Sequence, residues 1–172
     1  MDKFRIEKMT LSSLDEVMVI EELAYGQHHW SRDSFAAEID NQISDYNCAV
    51  TQNGQIAGYM GLWKIIDEGH VTNLAIHPDF RRKGAAKVLL LNALDECYRE
   101  KIKYLTLEVR VSNLGAIKLY ESFGFKSLGL RKKYYQNNNE DALIMWSENI
   151  FSENYKKRYE EIKEKIGNLI LK

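Results

Sequence analysis

Asn73-Leu74-Ala75-Ile76-His77-Pro78-Asp79-Phe80-Arg81-Arg82-Lys83-Gly84-Ala85-Ala86 is the stretch on which the fold turns. An apolar run stops at Pro78, the only proline, which pushes His77 toward an extended backbone and ends a strand. A basic, small-residue turn follows. Beyond it Val88, Leu89, Leu91, Ala93, Leu94 and Cys97 recur at helical spacing. A strand that feeds a turn and then a helix N-terminus presents unpaired backbone N–H groups and about half a positive charge, which suits a phosphate. Gly84 and Ala86 offer little or no side chain, so a ligand can come close to the backbone, and Arg82 and Lys83 add charge. The bland alternative is a solvated basic turn before an ordinary core helix. The turn lacks both the Walker-type phosphate loop and the Gly-x-Gly-x-x-Gly fingerprint, which disfavours nucleoside triphosphates and dinucleotides.

Upstream of this stretch the chain reads as two helices near the start of an antiparallel meander. Phe4 to Lys8 alternates as a first strand. Ser13 with Glu16 fits a capping box for a helix to about Tyr25, and a second helix runs from about Arg32 to Ile39. Tyr46 to Thr51 and Ile56 to Ile66 flank Asn53-Gly54, the strongest hairpin signal present, and Asp67-Glu68-Gly69 turns into a strand from His70 to Ile76. Downstream, Tyr104 to Val109 is a strand, and Asn113 caps a helix through Ser122 that Gly124 stops. Phe125 to Leu130 and Ala142 to Ser147 are two further strands. The fold class that follows is mixed α/β: a mostly antiparallel sheet flanked by helices, with a central strand–helix–strand unit.

Composition bounds the function. The 172 residues suit one domain of about 150 residues plus an extension, divided here as 1–150 and a C-terminal helix over 151–172. Lys plus Arg is 24 and Asp plus Glu is 25, so no global positive field recommends a nucleic-acid partner. No apolar run approaches the roughly 18 residues of a membrane span, and the polar N-terminus is unlike a signal peptide, which leaves a cytoplasmic setting as the expectation. Cys48 and Cys97 read as small core residues, and the adjacent His28 and His29 diverge, so no metal is expected.

A second constellation sits on the later strand. Glu108 alternates with Leu107 and Val109 and so faces away from their side. Tyr120 lies on the following helix, whose N-terminus begins where this strand ends. A carboxylate and a phenol can thereby meet at one end of the sheet. Taken singly, each has an ordinary explanation: a solvated glutamate and a core aromatic.

Together these segments resemble the GNAT family of acetyl-CoA-dependent N-acetyltransferases, and within it the branch that acetylates N-terminal alanines of ribosomal proteins. Arg81-Arg82-Lys83-Gly84-Ala85-Ala86 matches the family's Arg/Gln-x-x-Gly-x-Gly/Ala motif. Asn73 to Gly84, Leu105 to Asn113, Ala116 to Phe125 and Glu140 to Met145 match in order, over roughly Phe4 to Trp146. The resemblance implies that the backbone of Leu74, Ala75 and Ile76 holds the pantetheine arm of acetyl-CoA, with an amide near Ile76 on the thioester carbonyl. It implies that Arg81 belongs to the same motif, that Arg82, Lys83, Gly84, Ala85, Ala86 and Lys87 wrap the pyrophosphate, and that Asn113 touches the coenzyme near its thiol. Glu108 is implied as general base and Tyr120 as general acid.

The acceptor is implied to be a protein or peptide N-terminus, of a ribosomal protein, lying between the loops Tyr25 to Trp30 and Arg131 to Asp141, with Tyr134 on the acceptor side. His29 and Gln136 stand where the branch carries proline, which implies more mobile loops. A lysine, polyamine or antibiotic acceptor is the rival within the family, and a non-catalytic acyl-CoA-binding module the rival outside it; an acidic acceptor pocket would favour a polycation. Beyond Trp146 the chain adds Tyr155, Tyr159, Ile162, Ile166 and Leu169 at steps of four and three, either a terminal helix packed on its own domain or a seam for a dimer or partner.

Overall fold

A computed structural model describes residues 2–171. Seven strands, β1 (Phe4–Lys8), β2 (Ser44–Thr51), β3 (Ile56–Ile65), β4 (Glu68–Ile76), β5 (Tyr104–Arg110), β6 (Lys126–Tyr135) and β7 (Glu140–Trp146), form one sheet in the order β1-β2-β3-β4-β5-β7-β6. Every neighbouring pair is antiparallel except β4 and β5. A parallel pair needs a crossover, and α3 (Ala85–Arg99) supplies it. Its apolar stripe, including Val88, Leu89, Leu91 and Leu94, is buried on one sheet face together with Leu105, Leu107 and Val109 of β5. Leu14, Val17 and Ile20 of α1 (Leu14–Tyr25) and Phe35 of α2 (Arg32–Asp40) cover the other face, around Tyr46 and Tyr59. The mixed α/β architecture expected from the sequence is the one observed.

The β4–β5 pairing is short. It covers only Glu68 to His70 against Tyr104 to Thr106. Past His70, β4 carries an extra residue relative to β3: Gly61 pairs with Asn73 and Leu62 with Val71, so Thr72 is left unopposed. Such a bulge bends and twists the strand that contains it. The Tyr46 hydroxyl secures this one, 2.8 Å from Thr72 Oγ1 and donating to Asn73 Oδ1 at 2.7 Å. Gly61 is required opposite, because a Cβ there would lie 2.2 Å from the Tyr46 ring. Beyond the bulge β4 and β5 part, and the sheet opens.

Several boundaries depart from the sequence expectation. Glu16 does not close a capping box with Ser13; its carboxylate instead accepts from the Ile56 N–H at 2.9 Å, tying α1 to the start of β3. Ser13 serves the preceding 3₁₀ turn, accepting from the Thr10 N–H at 3.1 Å. Glu68 and Gly69 belong to β4 and not to a turn, and β6 and β7 extend further toward their connection than expected. The periodic tail forms α5 (Glu153–Ile166) and a final 3₁₀ turn, Gly167–Leu169. Tyr155, Ile162, Ile166 and Leu169 are buried in the same core as α3, so the stripe is spent on the chain's own domain and not on an exposed seam.

Cys48 and Cys97 are both buried and unpaired, and burial pushes each thiol up to about 12. A raised folded-state pKa favours the neutral thiol. The associated stability is therefore complete below the ordinary thiol pKa and is lost as pH rises toward the folded value. The native protein should resist iodoacetamide at pH 8 and become reactive at both cysteines only on unfolding. Stoichiometric labelling of the native fold by mass spectrometry would contradict this packing.

Candidate active site

The parting of β4 and β5 creates a cleft of about 1410 Å³. One wall is the edge of β4 that has lost its strand partner. Leu74 and Ile76 have the same parity on that strand, and both carbonyls are met from the cleft side: Tyr25 Oη donates to Leu74 O at 3.4 Å and Arg81 Nε to Ile76 O at 3.3 Å. In an antiparallel pairing such as β3–β4 a residue's N–H points the same way as its C=O, so the amides of Leu74 and Ile76 face the opening too. Ala75, of opposite parity, turns its backbone groups toward β3 and buries its side chain in the α1–α2 core, so the expected coenzyme contact at Ala75 is not met: it does not line the cleft.

At the end of β4 the chain makes the 3₁₀ turn Pro78–Phe80 and enters α3 through two residues with positive φ, Arg82 at 63° and Gly84 at 98°. The hydrogen-bond ladder of α3 starts with Val88 N–H to Gly84 O at 3.1 Å, so the amides of Ala85, Ala86 and Lys87 precede it as free first-turn donors. Arg82, Gly84, Ala85, Ala86 and Lys87 line the cleft. These donors, small residues and cationic side chains fit the pyrophosphate of a coenzyme A thioester, and the open β4 edge fits its amide-bearing arm.

Two expectations for this turn need correction. Lys83 does not line the cleft: its ammonium lies 3.1 Å from Asp2 and 5.4 Å from the centre of the Phe80 ring. Gly84 does not owe its missing side chain to ligand approach. A Cβ built there would point at Leu169, 2.5 Å from its Cδ1, and the 98° φ would strain any side chain.

β5 and α4 (Leu114–Ser122) form the opposite wall. Leu105, Leu107 and Val109 face the α3 side, which turns Glu108 into the cleft, where Arg131 Nη1 sits 3.1 Å from Oε1. Asn113 caps α4, its Oδ1 accepting from Ala116 N–H at 3.2 Å, and lines the cleft beside that helix start. Tyr120 is buried on α4 and also lines the cleft. Burial pushes its phenol up, and the nearby Tyr25 and Tyr135 hydroxyls add to the shift. Tyr25 is pushed up to about 12 by burial first and the Glu21 carboxylate second. Tyr134 is 41% exposed at the mouth, beneath the Arg131 guanidinium and edge-on to Tyr135.

The protein contains a match to the acetyltransferase (GNAT) family model over residues 14–125. The chain belongs to that family. An Escherichia coli relative named ribosomal protein bS18-alanine N-acetyltransferase is 37% identical over 143 residues, 81% of this chain and 94% of its own length. A Bacillus subtilis protein bearing the same designation provisionally is 39% identical over 145 residues, 84% of this chain and 95% of its own length. The crystal structure of the Escherichia coli ribosomal-protein-S18-alanine N-acetyltransferase superposes with a TM-score of 0.76 at 32% identity, covering 88% of this chain and 97% of that one.

Two parts of this GNAT cleft escaped the sequence analysis. Arg110 lies 3.8 Å over the Tyr135 ring, and its guanidinium donates to Asn137 at 3.0 Å and Asn138 at 3.1 Å, tethering the β6–β7 connection. Glu21 falls within the first helix and carries no role in the sequence pattern. It shares the face of Leu14 and Val17, seven and four residues earlier, and is 1% exposed. A carboxylate in that register is the signal that was available. Glu21 accepts from the Tyr59 hydroxyl, and its Oε1 takes the Trp30 N–H at 2.8 Å, fixing the loop between α1 and α2. Glu21→Ala strands the buried Tyr59 hydroxyl and the part-buried Trp30 N–H at about 1–3 kcal/mol each, so denaturant unfolding should register a loss of about 2–6 kcal/mol. A loss below about 1 kcal/mol would mean that the carboxylate does not hold this loop.

Proposed function

We propose that this chain transfers the acetyl group of acetyl-CoA to the α-amino group of a protein N-terminus, foremost the N-terminal alanine of ribosomal protein bS18, by direct attack in a ternary complex. The names of the Escherichia coli and Bacillus subtilis relatives support the acceptor. The observation that carries the chemistry is the presence of Glu108, Tyr120 and the open β4 edge around one cleft. Residues 1–150 form the transferase domain in this reading and residues 151–172 its appended helix, in a cytoplasmic setting.

Each group has a task that its position supports. The first-turn amides of α3, with Arg82 and Lys87, hold the pyrophosphate. The Ile76 N–H donates to the thioester carbonyl and stabilises the oxygen as negative charge builds on it. Arg81 holds the end of β4, and Asn113 holds the start of α4 beside the thiol end. Acetyl-CoA supplies the activated acetyl carbon. A free α-amino group has a pKa of about 7.7–8.0, so near neutral pH a modest base suffices to take its proton, and Glu108 takes it directly or through water. The new C–N bond forms as the C–S bond breaks. The proton on Tyr120 Oη passes to the departing sulfur. Burial keeps this phenol protonated, and the same enclosure raises the proton affinity of a thiolate formed beside it. Tyr134, with Arg131 against its ring, borders the acceptor's path.

The two roles separate by pH. Glu108→Gln should lower turnover of an alanine-starting peptide by about 100- to 10,000-fold near neutral pH, the usual worth of a general base. The deficit should shrink above pH ~8, where the amine deprotonates unaided. Tyr120→Phe should be impaired across the range, because added hydroxide does not supply an acid. Turnover against pH, with mass spectrometry locating the acetyl group on the α-amine or on lysine, is the measurement. A Glu108→Gln profile that tracks the wild type would place the base elsewhere, and acetylation of lysine alone would remove the N-terminal acceptor.

A further inference from the structure

We infer that the C-terminal segment, a part of the chain beyond the family-model match, is a positioning brace for the coenzyme-binding turn, acting through contact between Leu169 and Gly84. This rests on the proposed acetyl-CoA site and adds to it the element that holds the turn in shape. Leu169 is buried, and its Cδ1 lies 2.5 Å from where a Gly84 Cβ would be. Gly84 is the N-cap of α3, held at a φ of 98°. The leucine therefore packs against bare backbone at the point where the phosphate-facing amides begin, on the side away from the ligand.

The segment is anchored on both sides of that contact. After Leu169 the chain bridges to β1: Ile170 pairs in parallel with Phe4, and the Leu171 N–H donates to Phe4 O at 2.9 Å. From the same N-terminal end Asp2 reaches the Lys83 ammonium, one residue before Gly84. Before Leu169, α5 lies on the core, its Tyr155 hydroxyl donating to Phe123 O at 2.7 Å where α4 ends. Both chain termini thus converge on residues 83 and 84. A glycine turn with two positive-φ residues is otherwise free to sample other shapes, and donors that bind an anion must be held in place before it arrives.

A double-mutant cycle read by coenzyme A binding tests the brace on the full chain. Leu169→Ala should raise the calorimetric Kd for coenzyme A roughly tenfold, with kcat at saturating acetyl-CoA within about twofold of wild type. Gly84→Ala should raise Kd as well, through both the clash and the strained φ. In the Leu169→Ala background the clash is gone, so the two effects should combine to less than their product. Tyr155→Phe controls for stability: it removes a buried hydrogen bond at the far end of α5 and should lower the melting temperature while leaving Kd unchanged. Leu169→Ala with a lowered melting temperature and an unaltered Kd, or a cycle in which the effects multiply, would overturn the proposal. Coenzyme A binding needs no acceptor, so a wrong acceptor leaves this readout intact, whereas a wild type that fails to bind coenzyme A defeats the underlying site.

Discussion

The bulge at Thr72 is the constraint on which the rest of the molecule depends. A seven-stranded sheet with continuous pairing would leave no opening between its central strands. One unopposed residue bends β4, the parallel ladder with β5 ends after His70 and Thr106, and a row of backbone groups is released in the middle of the domain. Unpaired strand edges normally invite aggregation. This one is recessed between two walls, with Tyr25 and Arg81 on two of its carbonyls. The bulge in turn depends on Tyr46, whose ring needs the bare face of Gly61 and whose hydroxyl ties down Thr72 and Asn73. An aromatic on β2 that does not itself line the cleft thus governs its geometry.

This dependence explains what could be read from the sequence. The basic, small-residue turn at Arg81 to Ala86 and the alternation around Glu108 are local and legible from residue size and periodicity, whereas the coenzyme motif and the role of Glu108 came from the family resemblance. The mixed α/β class and the strand–helix–strand unit were legible from the pattern along the chain. The bulge was not, because nothing within β4 distinguishes Thr72 from its neighbours; its cause lies in Tyr46 and Gly61, distant in sequence. Glu21 was missed for a related reason. A carboxylate in an apolar register looks like a flaw in the pattern until its partners, the Tyr59 hydroxyl and Trp30 N–H, arrive from other elements. The Ser13–Glu16 spacing misled in the opposite direction: the local pattern was present, but the Ile56 amide competed for the carboxylate and won.

The α1–α2 and β6–β7 loops show the same substitution of long-range ties for local rigidity. Proline would fix the backbone by itself. With His29 and Gln136 at those positions, stiffness comes from elsewhere: Glu21 takes the amide of Trp30, and Arg110 spans Asn137, Asn138 and the Tyr135 ring. Arg110 stands two residues after Glu108 on β5. The strand that presents the carboxylate therefore also locates the loop at the mouth of the cleft. Arg131 closes the circuit from β6, touching both Glu108 and Tyr134.

The two walls of the cleft consequently differ in how they are held. The β5 side is fixed by charge: Arg110 and Arg131 link strand, loop and carboxylate through exposed or half-exposed contacts that salt can weaken. The α3 side is fixed by packing: Leu169 fills the space behind Gly84, and the buried stripe of α5 keeps it there. Packing suits the coenzyme side, where the ligand's own phosphates would compete for any cation used as a structural tie. Lys83 illustrates the division. Its charge is engaged by Asp2, outside the cleft, and backbone amides remain for the anion to find. The wall that carries Glu108 is thus held by charged contacts, and the wall that carries the first-turn amides of α3 by a turn wedged into one shape.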